Sequence, residues 1–140
     1  MKLSEHFMLG ELCKTSHKTA DGNIPSHVVI ENLKRLCPWL EELRRRYNEP
    51  IIINSGYRSP AVNKLAGGSK TSNHLSGCAV DIRCAGKEQM IRYASILLDI
   101  ADGTKQEFDE LLLEQHGSTC WLHFAVMPQG NRRKIAFLKA

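Results

Sequence analysis

The sequence predicts a small α+β domain with a central, mainly antiparallel sheet flanked by helices. Three observations carry that expectation. Two long segments repeat apolar residues at the helical period, short β-branched or alternating runs lie between and after them, and no repeat, low-complexity tract or linker divides the chain. At 140 residues the chain holds one domain, taken as 1–140, long enough to bury roughly two thirds of the surface that its unfolded form exposes.

Over residues 26–47, Val29, Leu33, Leu36, Leu40, Leu43 and Tyr47 advance by steps of 4, 3, 4, 3 and 4, with charged residues between them. This is an amphipathic helix, and Pro38, a residue that can kink or divide a helix, falls inside it. The β-branched run 50–53, closed by Asn54-Ser55-Gly56, reads as a buried strand and a turn. Ser59-Pro60 supplies an N-cap and a first-turn proline for a short helix over 60–66, which Gly67-Gly68 stops. Residues 67–77 read as loop. Residues 78–83 follow as a strand with Cys78, Val80 and Ile82 on one face and Ala79, Asp81 and Arg83 on the other. A second long helix over 87–101 ends at Asp102-Gly103, and strands over 108–115 and 120–127 form a hairpin around 116–119.

The net charge of +4 is too small to argue nucleic-acid binding. The apolar runs 51–53 and 111–113 fall far short of the roughly 20 residues that cross a bilayer. Ser4, Glu5, His6 and Glu11 interrupt the N-terminal segment, so no export signal is expected. Five cysteines without a C-x-x-C pair indicate neither a disulfide framework nor a thiolate zinc site, and they are expected to be reduced thiols in a cytosolic product.

Polar residues are densest between Ser55 and Asp81. Gly77 lets the chain turn between His74 and the strand, and Asp81 stands beside the small Ala79, leaving a space that suits a metal. A catalytic zinc site takes three protein ligands and keeps one position open, so a third ligand is expected elsewhere. His123 fits best, because Leu122, Phe124 and Val126 form the apolar face of its strand and leave Trp121, His123 and Ala125 opposite. His6, His17, His27 and His116 lie in polar segments or a turn and read as solvated. A hydrolytic site also needs a general base. A four-residue hairpin loop sets Leu112 opposite His123, Glu110 opposite Ala125 and Glu114 opposite Trp121, placing both glutamates on the face of His123. A slip of one residue would bury the glutamates and expose Leu111 and Leu113.

Ser55-Gly56-Tyr57-Arg58-Ser59, the ten residues from Ser72 to Asp81, and Trp121-Leu122-His123 resemble the S-G-Y-R-S, S-x-H-x-x-G-x-A-x-D and W-x-H motifs of the zinc D-alanyl-D-alanine carboxypeptidases and related peptidoglycan peptidases. The resemblance extends from Phe7 and Glu11 through Asn131-Arg132. It implies an α+β fold with a central antiparallel sheet, Zn2+ held by His74, Asp81 and His123, and hydrolysis of peptide bonds in peptidoglycan stem peptides, as a carboxypeptidase or an endolysin-like peptidase. It implies that Arg58 stabilises the oxyanion, a role suited to a fixed cation, and that Tyr57 and Ser72 lie at the substrate or the ligand shell. Several members carry their catalytic glutamate three residues before the last histidine, where this chain has Cys120. The segment 108–114 resembles the F-D-Q-L-x-x-E run of a subgroup, so Glu114 is expected as the base, with Glu110 as the alternative.

The rival reading is a non-catalytic zinc-containing module that binds peptidoglycan or serves a structural role, which Cys120 at the usual glutamate position favours. A cysteine hydrolase using Cys78, Cys84 or Cys120 is disfavoured, since none stands at a helix N-terminus or oxyanion turn that would activate a thiolate. The expected partner is the stem peptide, with no nucleic acid and no membrane, and the expected state is a monomer. A wall hydrolase without an export signal implies release by a holin, carriage on a phage tail or another export route, hence a phage or prophage origin.

Overall fold

A computed structural model describes residues 1–139 of the expected 1–140 domain; residue 140 lies outside the described residues. The elements run in the order α1 (Leu9–Leu12), α2 (His27–Tyr47), β1 (Ile53–Ser55), α3 (Pro60–Leu65), a short 3-10 helix (Asn73–Ser76), β2 (Ala79–Cys84), α4 (Lys87–Thr104), β3 (Glu110–His116), β4 (Thr119–Ala125) and β5 (Lys134–Lys139). The strands form one mixed sheet in the order β1-β2-β4-β3-β5, antiparallel throughout except that β5 lies parallel to β3. The fold is α+β, as the sequence predicts.

Helix α2 begins where expected. Ser26 Oγ accepts from the Val29 amide at 3.3 Å, and Asn48 closes the helix in the left-handed region. Pro38 does not divide it: Cys37, Trp39 and Leu40 on either side are buried, and that packing offsets the missing N–H bond. Helix α4 runs past the expected stop at Asp102-Gly103 to Thr104, where Thr104 Oγ1 donates to the Ile100 carbonyl and Lys105 takes the left-handed cap. An exposed glycine lowers helix propensity by only about 1 kcal/mol, too little to end a helix packed through Leu97, Ile100 and Ala101.

Strand β1 is displaced along the chain from the expected 50–53. Asn54 and Ser55, expected in a turn, lie in the strand, and an irregularity between Ile53 and Ser55 lets both pair with β2. The 3-10 helix interrupts the expected loop at 67–77. In the β3–β4 hairpin the register matches the prediction, with Leu112 opposite His123 and Glu114 opposite Trp121, but His116 pairs with Thr119, so the turn is two residues and not four. Strand β5 is additional to the expected elements: its Ile135, Phe137 and Leu138 are exposed at the sheet edge, so no alternating burial pattern marks it in the sequence.

The two faces of the sheet differ completely. Val80, Ile82, Leu111, Leu113, Leu122 and Phe124 form one face, buried under α2 and α4, with Trp39 5.2 Å from the Phe124 ring and edge-on to Phe108. Asp81, Glu110, Leu112, Glu114, Trp121 and His123 form the other, which floors an open cleft. Among the described residues no helix is long and apolar enough to cross a membrane, and all five cysteines are free.

Candidate metal centre

His74 comes from the 3-10 helix. Ser72 caps that helix, its hydroxyl accepting from the His74 amide at 3.1 Å, and Gly77 ends it at φ 76°. A Cβ at Gly77 would stand 2.8 Å from Val29 Cγ1 and 2.9 Å from the Val29 carbonyl, so glycine is required by both backbone and space. Asn32 of α2 donates to the Ser76 carbonyl at 2.8 Å and fixes the helix from below. Asp81 and His123 are cross-strand partners on β2 and β4, so both project into the cleft at the same height.

The ligand atoms of His74, Asp81 and His123 lie within 4.8 Å of one another. His74 Nε2 is 3.2 Å and His123 Nδ1 3.1 Å from the same atom, Asp81 Oδ1. The outer nitrogens are occupied. His74 Nδ1 donates to the Gly56 carbonyl at 2.7 Å, and His123 Nε2 donates to Glu110 Oε1 at 2.9 Å. Gly56 can offer that carbonyl because it stands against the end of α1, where a Cβ would come within 2.1 Å of the Leu12 carbonyl oxygen. With Nδ1 committed to the Gly56 carbonyl, His74 turns Nε2 toward the same Asp81 oxygen that His123 Nδ1 approaches, so three candidate ligand atoms converge on one point. Two imidazole nitrogens and a carboxylate oxygen, each imidazole backed by an acceptor, are the donor set of a divalent transition metal.

The charges agree. Burial disfavours a charged His123, yet its bonds to Asp81 and Glu110 outweigh that and hold its pKa up to about 9. Burial would raise Asp81, but the hydrogen bonds of His123 and His74 keep its carboxyl well below the usual range. The centre therefore favours added positive charge.

The cleft around it measures about 810 Å3 and is lined by Arg58, Ser72, Glu110, Glu114, Trp121 and the segment holding Met127, Gly130 and Arg132, among others. Arg58 is largely buried; its amide donates to the His74 carbonyl at 3.0 Å and its guanidinium lies 4.0 Å from Asp81 Oδ2. Glu114 Oε2 accepts from Trp121 Nε1 at 3.0 Å, while no side-chain hydrogen bond engages its Oε1 among the described residues. Burial, followed by the Asp81 charge, pushes the Glu114 carboxyl up. Glu110 is held down, first by the His123 bond.

Six of the expected site residues besides Ser72 therefore meet in one cleft: Arg58, His74, Asp81, Glu110, Glu114 and His123. Tyr57 does not join them: it is 8% exposed and belongs to the core cluster, its own amide donating to the Leu12 carbonyl of α1 at 2.8 Å while the Arg58 amide donates to the His74 carbonyl. Cys120 also lies away from the cleft. Three residues before His123 along an extended strand is the opposite face, and Cys120 is buried on the core side beside Cys84. Asn73, Asp109 and the Gly56 carbonyl were not singled out by sequence reasoning. Asn73 adjoins a ligand and Asp109 adjoins Glu110, and that adjacency was the available signal.

A protein-family model described as Peptidase M15 matches residues 5–111. That span contains Arg58, His74, Asp81 and Glu110 and ends before Glu114 and His123. No curated protein matches the chain.

Proposed function

The chain belongs to the Peptidase M15 family, and we propose that it hydrolyses peptide bonds in peptidoglycan stem peptides with a zinc ion held by His74, Asp81 and His123. The observation that carries this reading is the orientation of the two imidazoles: each turns one nitrogen to Asp81 Oδ1 and ties the other to a fixed acceptor, at the floor of a cleft that also holds a free carboxylate oxygen and a buried arginine. A bound zinc supplies Lewis acidity, polarising a carbonyl oxygen and bringing the pKa of water toward 7.

The residues of the chain supply the rest. Glu114 is the general base: its Oε1 is unengaged, Trp121 fixes its other oxygen, and its raised pKa suits a group that takes a proton from water and returns it to the leaving amine. Arg58 presents a fixed charge beside Asp81, where it holds the negative charge that develops on the carbonyl oxygen. Ser72 acts through His74, whose amide it caps. Leu112 and Trp121 give the floor its apolar part, against which a stem-peptide side chain lies.

The module reading without catalysis loses its main argument, since Cys120 faces the core and Glu114 stands in the cleft. A cysteine nucleophile fits no better: burial pushes Cys84 up to about 12 and raises Cys78. Metal analysis of the purified protein, coupled to digestion of muropeptides read by mass spectrometry, tests the reading. Stoichiometric zinc and a chelator-sensitive cleavage product are expected; a metal-free protein, or intact muropeptides with zinc bound, would overturn it.

A further inference from the structure

Two neighbouring carboxylates, Asp109 and Glu110, approach one amide. Asn73 Nδ2 donates to Asp109 Oδ2 and to Glu110 Oε1, both at 2.9 Å. Glu110 Oε1 is also the acceptor for His123 Nε2. Asp109 is 3% exposed at the margin of the cleft, where the Arg132 amide and Nε each donate to its Oδ1 at 3.0 Å and Arg132 Nη2 donates to its Oδ2 at 2.8 Å. Arg132 Nη2 also lies 3.4 Å from Glu110 Oε2.

We propose that Asp109, Asn73 and Glu110 form a positioning shell for the metal centre, in which Asp109 anchors Asn73, Asn73 steadies Glu110, and Glu110 holds the His123 ring with Nδ1 facing His74 and Asp81. The proposal rests on the zinc reading above. Asn73 is adjacent to His74, so a single amide ties the 3-10 helix that carries one ligand to the hairpin that carries another. That geometry answers a difficulty: the two histidines come from elements far apart in sequence, and a metal site tolerates little error in their separation. It also explains why a carboxylate at the cleft margin is buried to 3% exposure. An isolated buried carboxylate is destabilising unless hydrogen-bonded, and among the described residues every bond that the Asp109 carboxylate accepts comes from Asn73 or Arg132. The same bonds separate the two glutamates. Glu110 is committed to His123 and Asn73, which leaves Glu114 to exchange protons.

The test measures zinc affinity by competition with a chromophoric chelator, together with kcat at saturating zinc, for Glu110→Gln, Asn73→Ala and Asp109→Asn. Glu110→Gln is expected to bind zinc roughly 10- to 100-fold more weakly than the parent while keeping kcat within about tenfold once loaded. Asn73→Ala, at a half-buried position that the fold tolerates, is expected to move affinity in the same direction by a smaller factor and carries the test where Asp109→Asn fails to fold. Gln115→Ala, on the far face of the same strand, serves as the control and is expected to leave affinity unchanged. Parent-like zinc affinity in both Glu110→Gln and Asn73→Ala would overturn the shell. So would a collapse of kcat in Glu110→Gln with affinity intact, which would make Glu110 the base. A parent protein that binds no zinc would instead overturn the reading on which the shell rests.

Discussion

The two faces of one sheet are built from the same strands and do opposite work. On the core face, Val80, Ile82 and Cys84 of β2, Leu111 and Leu113 of β3, and Cys120, Leu122 and Phe124 of β4 are apolar and buried beneath α2 and α4. On the cleft face the intervening residues include Asp81, Glu110, Glu114, Trp121 and His123, and several share hydrogen bonds. Dispersion and burial stabilise the first face without direction. The second depends on direction throughout, because a metal ligand or base acts only at a particular nitrogen or oxygen. A substitution on the core face should therefore lower stability and spare chemistry, and one on the cleft face should do the reverse.

The sharpest break in that contrast is Glu114→Gln. It is expected to lower kcat by roughly 10²- to 10⁴-fold, with thermal unfolding and zinc content near those of the parent, as steady-state kinetics and a melting curve would reveal. Next, Phe124→Ala on the core face removes a ring in contact with Trp39 and Phe108 and should destabilise the fold by about 3–5 kcal/mol in urea titration, while surviving folded protein keeps its zinc. Arg58→Ala should slow turnover by roughly 10²- to 10³-fold if the guanidinium holds the oxyanion, with zinc affinity little changed. The profile of kcat/KM against pH sharpens the comparison further. A base must be ionised, so activity is lost as pH falls through the Glu114 pKa, and burial places that acidic limb above the ordinary glutamate value of 4.5. An acidic limb that moves upward in Arg58→Ala, where a cation that interacts with Glu114 is lost, and disappears in Glu114→Gln is the expected pattern. The smallest effect is Cys120→Ala, three residues from His123 yet on the other face: kcat should stay within about twofold, and stability should fall by roughly 1–2 kcal/mol.

Much of this arrangement was legible in the chain. Alternation alone put Glu110, Glu114 and His123 together, since a shift of one residue would have exposed Leu111 and Leu113, and the observed register is the one that the pattern selects. The span of α2 followed from its apolar period and Ser26. Elements whose cues are weak were misplaced: β1 because an irregular pairing admits Asn54 and Ser55, the end of α4 because packing outweighed Gly103, and β5 because an exposed edge strand has no burial pattern to print on its sequence. Tyr57 lies in the core cluster for a different reason. It lies within a motif whose other members reach the cleft, and only the three-dimensional path of the chain shows which of those side chains turns inward.

Local pattern thus determined which residues share a strand face, because side-chain direction in a strand repeats every two residues whatever surrounds it. Tertiary structure alone decided which nitrogen of each histidine faces Asp81, since that depends on acceptors brought from elsewhere: the Gly56 carbonyl, set by its close approach to α1, and Glu110, held by Asn73. It also separated the two glutamates, which are equivalent in sequence register and differ only in their partners. One is bound to a histidine and an asparagine, and the other keeps an oxygen free of hydrogen bonds among the described residues.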